Sequence, residues 1–253
     1  MTPLLIVVNV VLFALSFLSG MLGLGVAFVA IPALGLFGFE LKHVIMPWAL
    51  WLNGLTAISA AVTYMRKKMV DYRTAIPLVL ITTALAPAGV WLLRFAETRT
   101  VWWVFVAVLV FLAARMVTGN HAQTGPDVTN IPHTKRAVAC GIGGLIGIFA
   151  GFLGVGPGFL LMPTLVLVGY TARIAAATNS LAVTLPSFSA FAAHWTEAHF
   201  DLWLMATTSV TATLGAQLGA LFMAKRVKSV VLKRTFAALL VGLALQRAVA
   251  LLR

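Results

Sequence analysis

The chain has 253 residues, of which 61% are hydrophobic and 9% charged, with a mean hydropathy of +1.03. Soluble domains carry ~25% charged residues; a soluble fold of this size has too little interior to hide so much apolar surface, so the surrounding solvent must be lipid. The formal charge of +12 invites a nucleic-acid reading, but the basic residues sit at the edges of apolar runs, as the positive-inside rule places them, and not on one solvated face.

In chain order the apolar runs cover residues 4–39, 44–65, 74–93, 100–118, 136–169, 174–195, 201–223 and 235–252. The first begins without a basic n-region, so it reads as a retained membrane helix and not as a signal peptide. A spanning helix needs about 20 residues. Runs 4–39 and 136–169 are too long for one helix and too short for two full ones, and both carry Gly-x-Gly in the middle. Glycine costs about 1 kcal/mol in a helix interior relative to alanine, so each long run reads as two helical pieces joined at the glycines. The polar stretch 119–134, with Gly119-Asn120, Gly125-Pro126 and Ile131-Pro132, reads as the linker between repeats 1–118 and 135–253. The whole chain, 1–253, is expected to form a single membrane transport domain.

Charge orients these runs. The loops at 66–73 and 225–234 are strongly basic and suit the cytoplasm, whereas 196–201 holds Glu197, His199 and Asp201 without Lys or Arg and suits the outside. Both basic loops can lie inside only if run 136–169 counts as an even number of crossings. The same count applied to run 4–39 turns the two halves upside down relative to each other. Lys42, Arg94 and Arg99 then fall outside, against the rule. The rival arrangement has eight plain spans and parallel repeats; the charge count favours inversion. The expected fold is an all-α polytopic membrane protein of about 8–10 transmembrane helices or half-helices.

The repeat is explicit. Gly20, Gly23, Gly25, Ala27, Phe28, Pro32, Leu34 and Gly38 return in order as Gly151, Gly154, Gly156, Gly158, Phe159, Pro163, Leu165 and Gly169, at one constant spacing. Matching glycine-broken segments in two halves point to a transporter whose substrate binds where the breaks meet. Broken backbone is tolerated in lipid only inside protein or beside a water-filled cavity. A helix N-terminus there offers free N–H groups and roughly half a positive charge. Gly23, Gly25, Gly154, Gly156 and Gly158 are therefore expected to shape an anion site, with Pro32 and Pro163 fixing where the half-helices bend or start. The competing reading is that the glycines serve only close helix packing.

A polar stripe follows each break. Asn53, Thr56 and Thr63 precede Thr184, Ser187 and His194 by the same spacing that separates Gly20 from Gly151. At about 100° per residue each set falls on one helix face, joined by Ser180. With Asn179, these amides and hydroxyls suit oxyanion oxygens; the competing reading is that Ser and Thr bond their own helix backbone. His194, near a helix end, is the candidate gate or pH-sensitive group. Glu40, Asp71, Glu97, Asp127, Glu197 and Asp201 all fall in or beside loops, so no carboxylate sits mid-span, where proton relays and sodium sites usually need one. Cys140 alone forms no internal disulfide. No catalytic, metal or cofactor motif is present, which argues against an enzyme; a channel using the same helix ends is the nearer rival. The expected partners are a small-molecule anion and the bilayer, not nucleic acid.

Gly20-x-x-Gly23-x-Gly25 with Pro32, and Gly151-x-x-Gly154-x-Gly156-x-Gly158 with Pro163, Gly169 and Ala177-Thr178-Asn179-Ser180-Leu181, resemble the TauE/SafE sulfite exporter family of membrane permeases. This chain interrupts the family's run of adjacent glycines with Leu24, Val26 and Ala27 in the first copy and with Val155 and Pro157 in the second. The resemblance implies transport of sulfite or related sulfur oxyanions or organosulfonates across a bacterial inner membrane. Other organic anions such as carboxylates, and import instead of export, stay open.

Overall fold

A computed structural model describes residues 2–118, 132–197 and 201–252. Residues 119–131, most of the expected linker, and His199 in the expected outer loop lie outside the described residues. Ten α-helices occur among the described residues: α1 Thr2–Leu22, α2 Ala27–Gly35, α3 Met46–Arg66, α4 Tyr72–Leu93, α5 Thr98–Thr118, α6 His133–Leu153, α7 Gly158–Val168, α8 Ala172–His194, α9 Leu202–Arg226 and α10 Ser229–Leu252. A π-helical turn, Leu41–Ile45, leads into α3. Six helical segments are long and apolar enough to cross a membrane, as the composition requires. α6 begins at His133, behind Pro132, so the last two residues of the expected linker are helical.

The repeat in the sequence is a repeat in the fold. α1 starts at Thr2 and α6 at His133, α2 at Ala27 and α7 at Gly158, the spacing of the glycine motifs once more. The breaks have the same backbone. Gly23 and Gly154 have φ of 66° and 65°, and Gly25 and Gly156 have 74° and 73°. That left-handed region costs an L-residue about 1–2 kcal/mol, which is why glycine stands at all four positions. α2 and α7 have 9 and 11 residues, about 13 and 16 Å, too short for a hydrocarbon core about 30 Å thick. They are half-helices.

Side-chain contacts fix the helix directions. Asn9 on α1 meets Thr207 and Thr211 on α9, and Gly20 lies over Ala216, so α1 and α9 run parallel. Trp48 and Trp51 donate their indole N–H groups to Thr208 and Ser209, and Ser59 bonds the Thr213 carbonyl, so α3 and α9 are parallel as well. In the other set, Gly143, Gly147 and Gly151 of α6 face Leu78, Thr82 and Ala86 of α4, and Thr178 and Ser189 of α8 bond Asp71 N and Thr83 O beside α4. Between the sets the direction reverses: Asn53 meets Ser187, Gly54 meets Phe188 and Trp51 meets Phe191. The equivalent helices α3 and α8 therefore cross antiparallel at the centre.

Two consequences bear on function. Because α1 and α3 point the same way, the chain turns back through α2. And the basic clusters Arg66-Lys67-Lys68, Lys135-Arg136 and Lys225-Arg226 all lie at one end of the bundle.

The glycines divide by job. Gly20 and Gly151, which open the duplicated motif, are packing glycines: a Cβ on either would lie 2.1 or 2.0 Å from a carbonyl oxygen of α9 or α4. The small-residue packing of membrane helices thus accounts for these two, and the left-handed turns account for Gly23, Gly25, Gly154 and Gly156. Pro32 and Pro163 each stand at the sixth residue of their half-helix. The half-helices start at Ala27 and Gly158, so neither proline marks a start; Pro157 is the residue that caps α7.

Candidate substrate site at the two helix breaks

Asn53 lies at the middle of the span Leu41–Arg66. Its side chain is fully buried, and each polar atom is used. Oδ1 accepts from Ala27 N, at the start of α2, at 2.8 Å. Nδ2 donates to Ser187 Oγ of α8 at 2.8 Å. Thr56, one turn on, accepts from Val26 N at 3.2 Å while donating to the Leu52 carbonyl. Two side chains of α3 thus satisfy the N-terminal donors that a half-helix leaves orphaned in the membrane. The Asn53 amide oxygen takes the position an oxyanion oxygen would take at a helix N-terminus.

The second break arrives at the same point. A Cβ on Gly156 would sit 2.3 Å from Asn53 Nδ2 and 3.3 Å from Ser187 Oγ; one on Gly25 would sit 2.2 Å from Asn53 Oδ1. Both breaks therefore press on one asparagine, and only hydrogen fits there. Gly158 meets the Leu24 carbonyl, with 2.1 Å to a built Cβ, and Gly23 the Ala176 carbonyl at 2.0 Å. Gly154 instead packs against Met46, away from the polar group. Ser19 donates its hydroxyl to the Gly25 carbonyl and pins the first turn.

The two N-termini differ. The first repeat places Asn53 where the second has Thr184, and the Thr184 hydroxyl bonds its own helix at Ser180 O. Pro157, which carries no N–H, caps α7 where Val26 stands before α2 and donates to Thr56. Asn179 bridges the two hairpins: Nδ2 donates to Gly23 O at 2.8 Å and to Gly158 O at 2.9 Å. Its Oδ1 is buried with no hydrogen-bond partner among the described residues, a condition worth about 1–3 kcal/mol.

The expected site residues thus separate. Gly25, Asn53, Thr56, Gly156 and Ser187 converge on one buried point, with Gly23, Gly158 and Asn179 on its flank. Ser180 and Thr184 spend their hydroxyls on their own helix, the behaviour expected of Ser and Thr in apolar helices. His194 is buried at the C-terminal end of α8, roughly two turns or about 10 Å beyond Ser187, and lines a separate cavity with Lys42, His43 and Arg94.

One polar cluster escaped the sequence reading. Asp71 caps α4 and is buried, and its carboxylate accepts from the Thr74 and Tyr170 hydroxyls, with the Arg136 guanidinium 3.9 Å away. It ties the start of α4 to the α7–α8 corner and the start of α6, at the basic end. Burial, and next the hydrogen bond to Asp71, push the Tyr170 hydroxyl up to about 12.

Half-helices meeting inside a helical bundle, with a repeat relating them, define a multi-pass membrane transporter. Residues 8–247 match the family described as "Sulfite exporter TauE/SafE", and the chain belongs to that family. It is also similar to the "Probable membrane transporter protein YunE" of Bacillus subtilis (strain 168), at 25% identity over 261 aligned positions covering 92% of this chain and 95% of that protein. No solved structure matches it significantly.

Proposed function

We propose that the protein exports a small sulfur oxyanion or organosulfonate, with sulfite as the first candidate, across a bacterial inner membrane. The observation that carries this reading is the convergence of both half-helix N-termini on Asn53. Each end contributes roughly half a positive charge, so the pair balances one negative charge without a buried arginine. Asn53 Oδ1 accepts from Ala27 N and Thr56 Oγ1 from Val26 N. An arriving anion would displace both oxygens, taking the Ala27 and Val26 amides and gaining Asn53 Nδ2 and Ser187 Oγ as further donors.

The antiparallel crossing of α3 and α8 supports repeats inverted across the membrane, and the three basic clusters at one end support a cytoplasmic face there. With the cytoplasm negative, ~100 mV is worth ~2.3 kcal/mol per charge, roughly fifty-fold in favour of anion exit. Gly23, Gly25, Gly154, Gly156 and Gly158 shape the site in this reading; Asn53, Thr56, Asn179 and Ser187 supply its polar lining, with Ser180 and Thr184 behind them. Flux measured in proteoliposomes under an imposed potential, loaded in turn with sulfite, thiosulfate, sulfoacetate and lactate, tests it. Saturable, potential-sensitive flux of a sulfur anion is expected; flux of lactate alone would replace the substrate class, and flux of none would remove the reading.

A further inference from the structure

Lys42, Arg94 and Arg99 break the charge rule by standing at the end of the bundle opposite the basic clusters. The structure gives two of them a shared address. Lys42, from the π-helical turn before α3, reaches the C-terminal end of α4, where Nζ bonds the carbonyls of Leu93, at 3.5 Å, and Ala96. Beside it lies a cavity of about 260 Å³ lined by Lys42, His43, Val90, Leu93, Arg94 and His194. Lys42, Arg94 and two imidazoles face one space, and Glu40 lies 3.7 Å from His43. Capping explains Lys42 alone, since a cation at a helix C-terminus answers the negative end of the dipole. It does not explain why Arg94 and two histidines from α4, the π-helical turn and α8 surround an open volume.

The repeat supplies a second observation. Lys42 and Leu93 have Arg173 and Ala224 as their equivalents in the second half, and Arg173 donates to the Ala224 carbonyl at 3.0 Å. Arg94 corresponds to Lys225. A basic side chain bonded to the end of the fourth helix, with another basic residue next to it, is thus built at both ends of the bundle. At the basic end it joins a crowd of cations; at the other end it stands in a small cavity.

We propose that this cavity is an oxyanion-binding vestibule, a site separate from the helix breaks, which takes small sulfur or phosphorus oxyanions by charge and multiple N–H donors. Arg94 and His43 line it and would turn N–H groups toward the anion, His194 closes its inner wall, and Lys42 both caps α4 and adds charge. His194 sits on the helix that carries Ser187, about 10 Å from it, which places the vestibule at the outer mouth of the path. Binding stands on these four side chains; the role as outer mouth rests on the anion-transport reading.

Equilibrium dialysis of the purified full chain against radiolabelled sulfate tests the proposal. Saturable binding is expected in the natural protein and in Asn53→Ala. Arg94→Gln should weaken it about tenfold, the scale of one hydrogen bond between charged partners, and Arg94→Lys should restore most of it. His43→Gln, with thermal melting as the check on folding, is the second variant. No saturable binding, or binding that Arg94→Gln and His43→Gln both leave unchanged, overturns the vestibule. Binding lost in Asn53→Ala but kept in Arg94→Gln also overturns it and assigns the anion to the helix breaks. The reverse pattern upholds the vestibule even if the central site fails.

Discussion

Phe28 and Phe159 occupy the same position of the two repeats and stack on each other, ring centroids 5.2 Å apart and planes inclined by 11°. Phe105 of α5 and Phe236 of α10, a second pair of repeat equivalents, flank Phe28 at 6.4 Å each. All four rings are buried. The two repeats therefore meet in an aromatic cluster directly behind the N-termini of α2 and α7.

Removal of the Phe28 ring should cost more stability than removal of Phe159, because Phe28 meets Phe105, Phe159 and Phe236 while Phe159 meets Phe28 and Phe105. Phe28→Ala and Phe159→Ala are each expected to lower the melting temperature in detergent. A double-mutant cycle should find a coupling of about 0.5–1.5 kcal/mol, the range for aromatic pairs. Additive effects would mean that the stacking adds nothing beyond burial.

Gly156→Leu should abolish transport while the protein still reaches the membrane. The substitution meets a φ of 73° and a Cβ position 2.3 Å from Asn53 Nδ2. Gly141 and Gly242 have nothing within 4 Å of a built Cβ, so Gly141→Ala and Gly242→Ala should transport normally. Flux assays on the three variants, with expression measured by immunoblot, make the comparison. Normal flux in Gly156→Leu would sink the proposed site.

Asn53 separates two effects by charge. Asn53→Asp puts a carboxylate against the Ala27 amide, a charge-assisted contact at a helix N-terminus. It should raise thermal stability and lower anion flux, since the site then holds its own anion. Asn53→Ala should lose about 1–3 kcal/mol by orphaning the Ala27 amide. Rising flux in Asn53→Asp would contradict the displacement step.

Tyr170 gives a pH signature at the basic end. Its hydroxyl is raised from 10.0 to about 12 by burial and by the Asp71 carboxylate. The folded chain keeps that proton in a range where the unfolded chain releases it. The contribution is therefore complete below pH 10 and declines as pH climbs from about 10 to about 12. Melting curves of the natural protein and Tyr170→Phe should converge over that interval, and parallel curves would deny Tyr170 the role.

The sequence made the helix breaks legible because glycine at a left-handed turn leaves a local mark, and duplication doubles it. Asn53 and Thr56 were legible because an amide in an apolar helix needs a partner. The partner itself was not: Ser187 meets Asn53 only through the antiparallel crossing of α3 and α8, two helices far apart in the chain. The same holds for Asp71, whose hydroxyl partner Tyr170 belongs to the other half of the chain. Its one local trace is Thr74, three positions on. Gly20 opens the duplicated motif without a readable job; only the approach of α9 reveals it as a packing residue. Pro32 and Pro163 read in the sequence as the points where the half-helices bend or start; both stand inside their half-helices, and the starts follow the glycine turns.

An exact two-fold would make the halves interchangeable. In a carrier with inverted halves, the outward-open and inward-open states would then be mirror exchanges of one another and equal in energy. This chain breaks that equivalence at its centre: Asn53 in the first half stands where the second has Thr184, and Asn179 in the second where the first has Trp48. Asn53 bonds the start of α2 and Ser187, while Asn179 bonds the carbonyls of Gly23 and Gly158. The two tethers differ in kind, so exchanging Asn53 and Thr184 should tilt the carrier toward its opposite side, which accessibility labelling from each face of the membrane would detect.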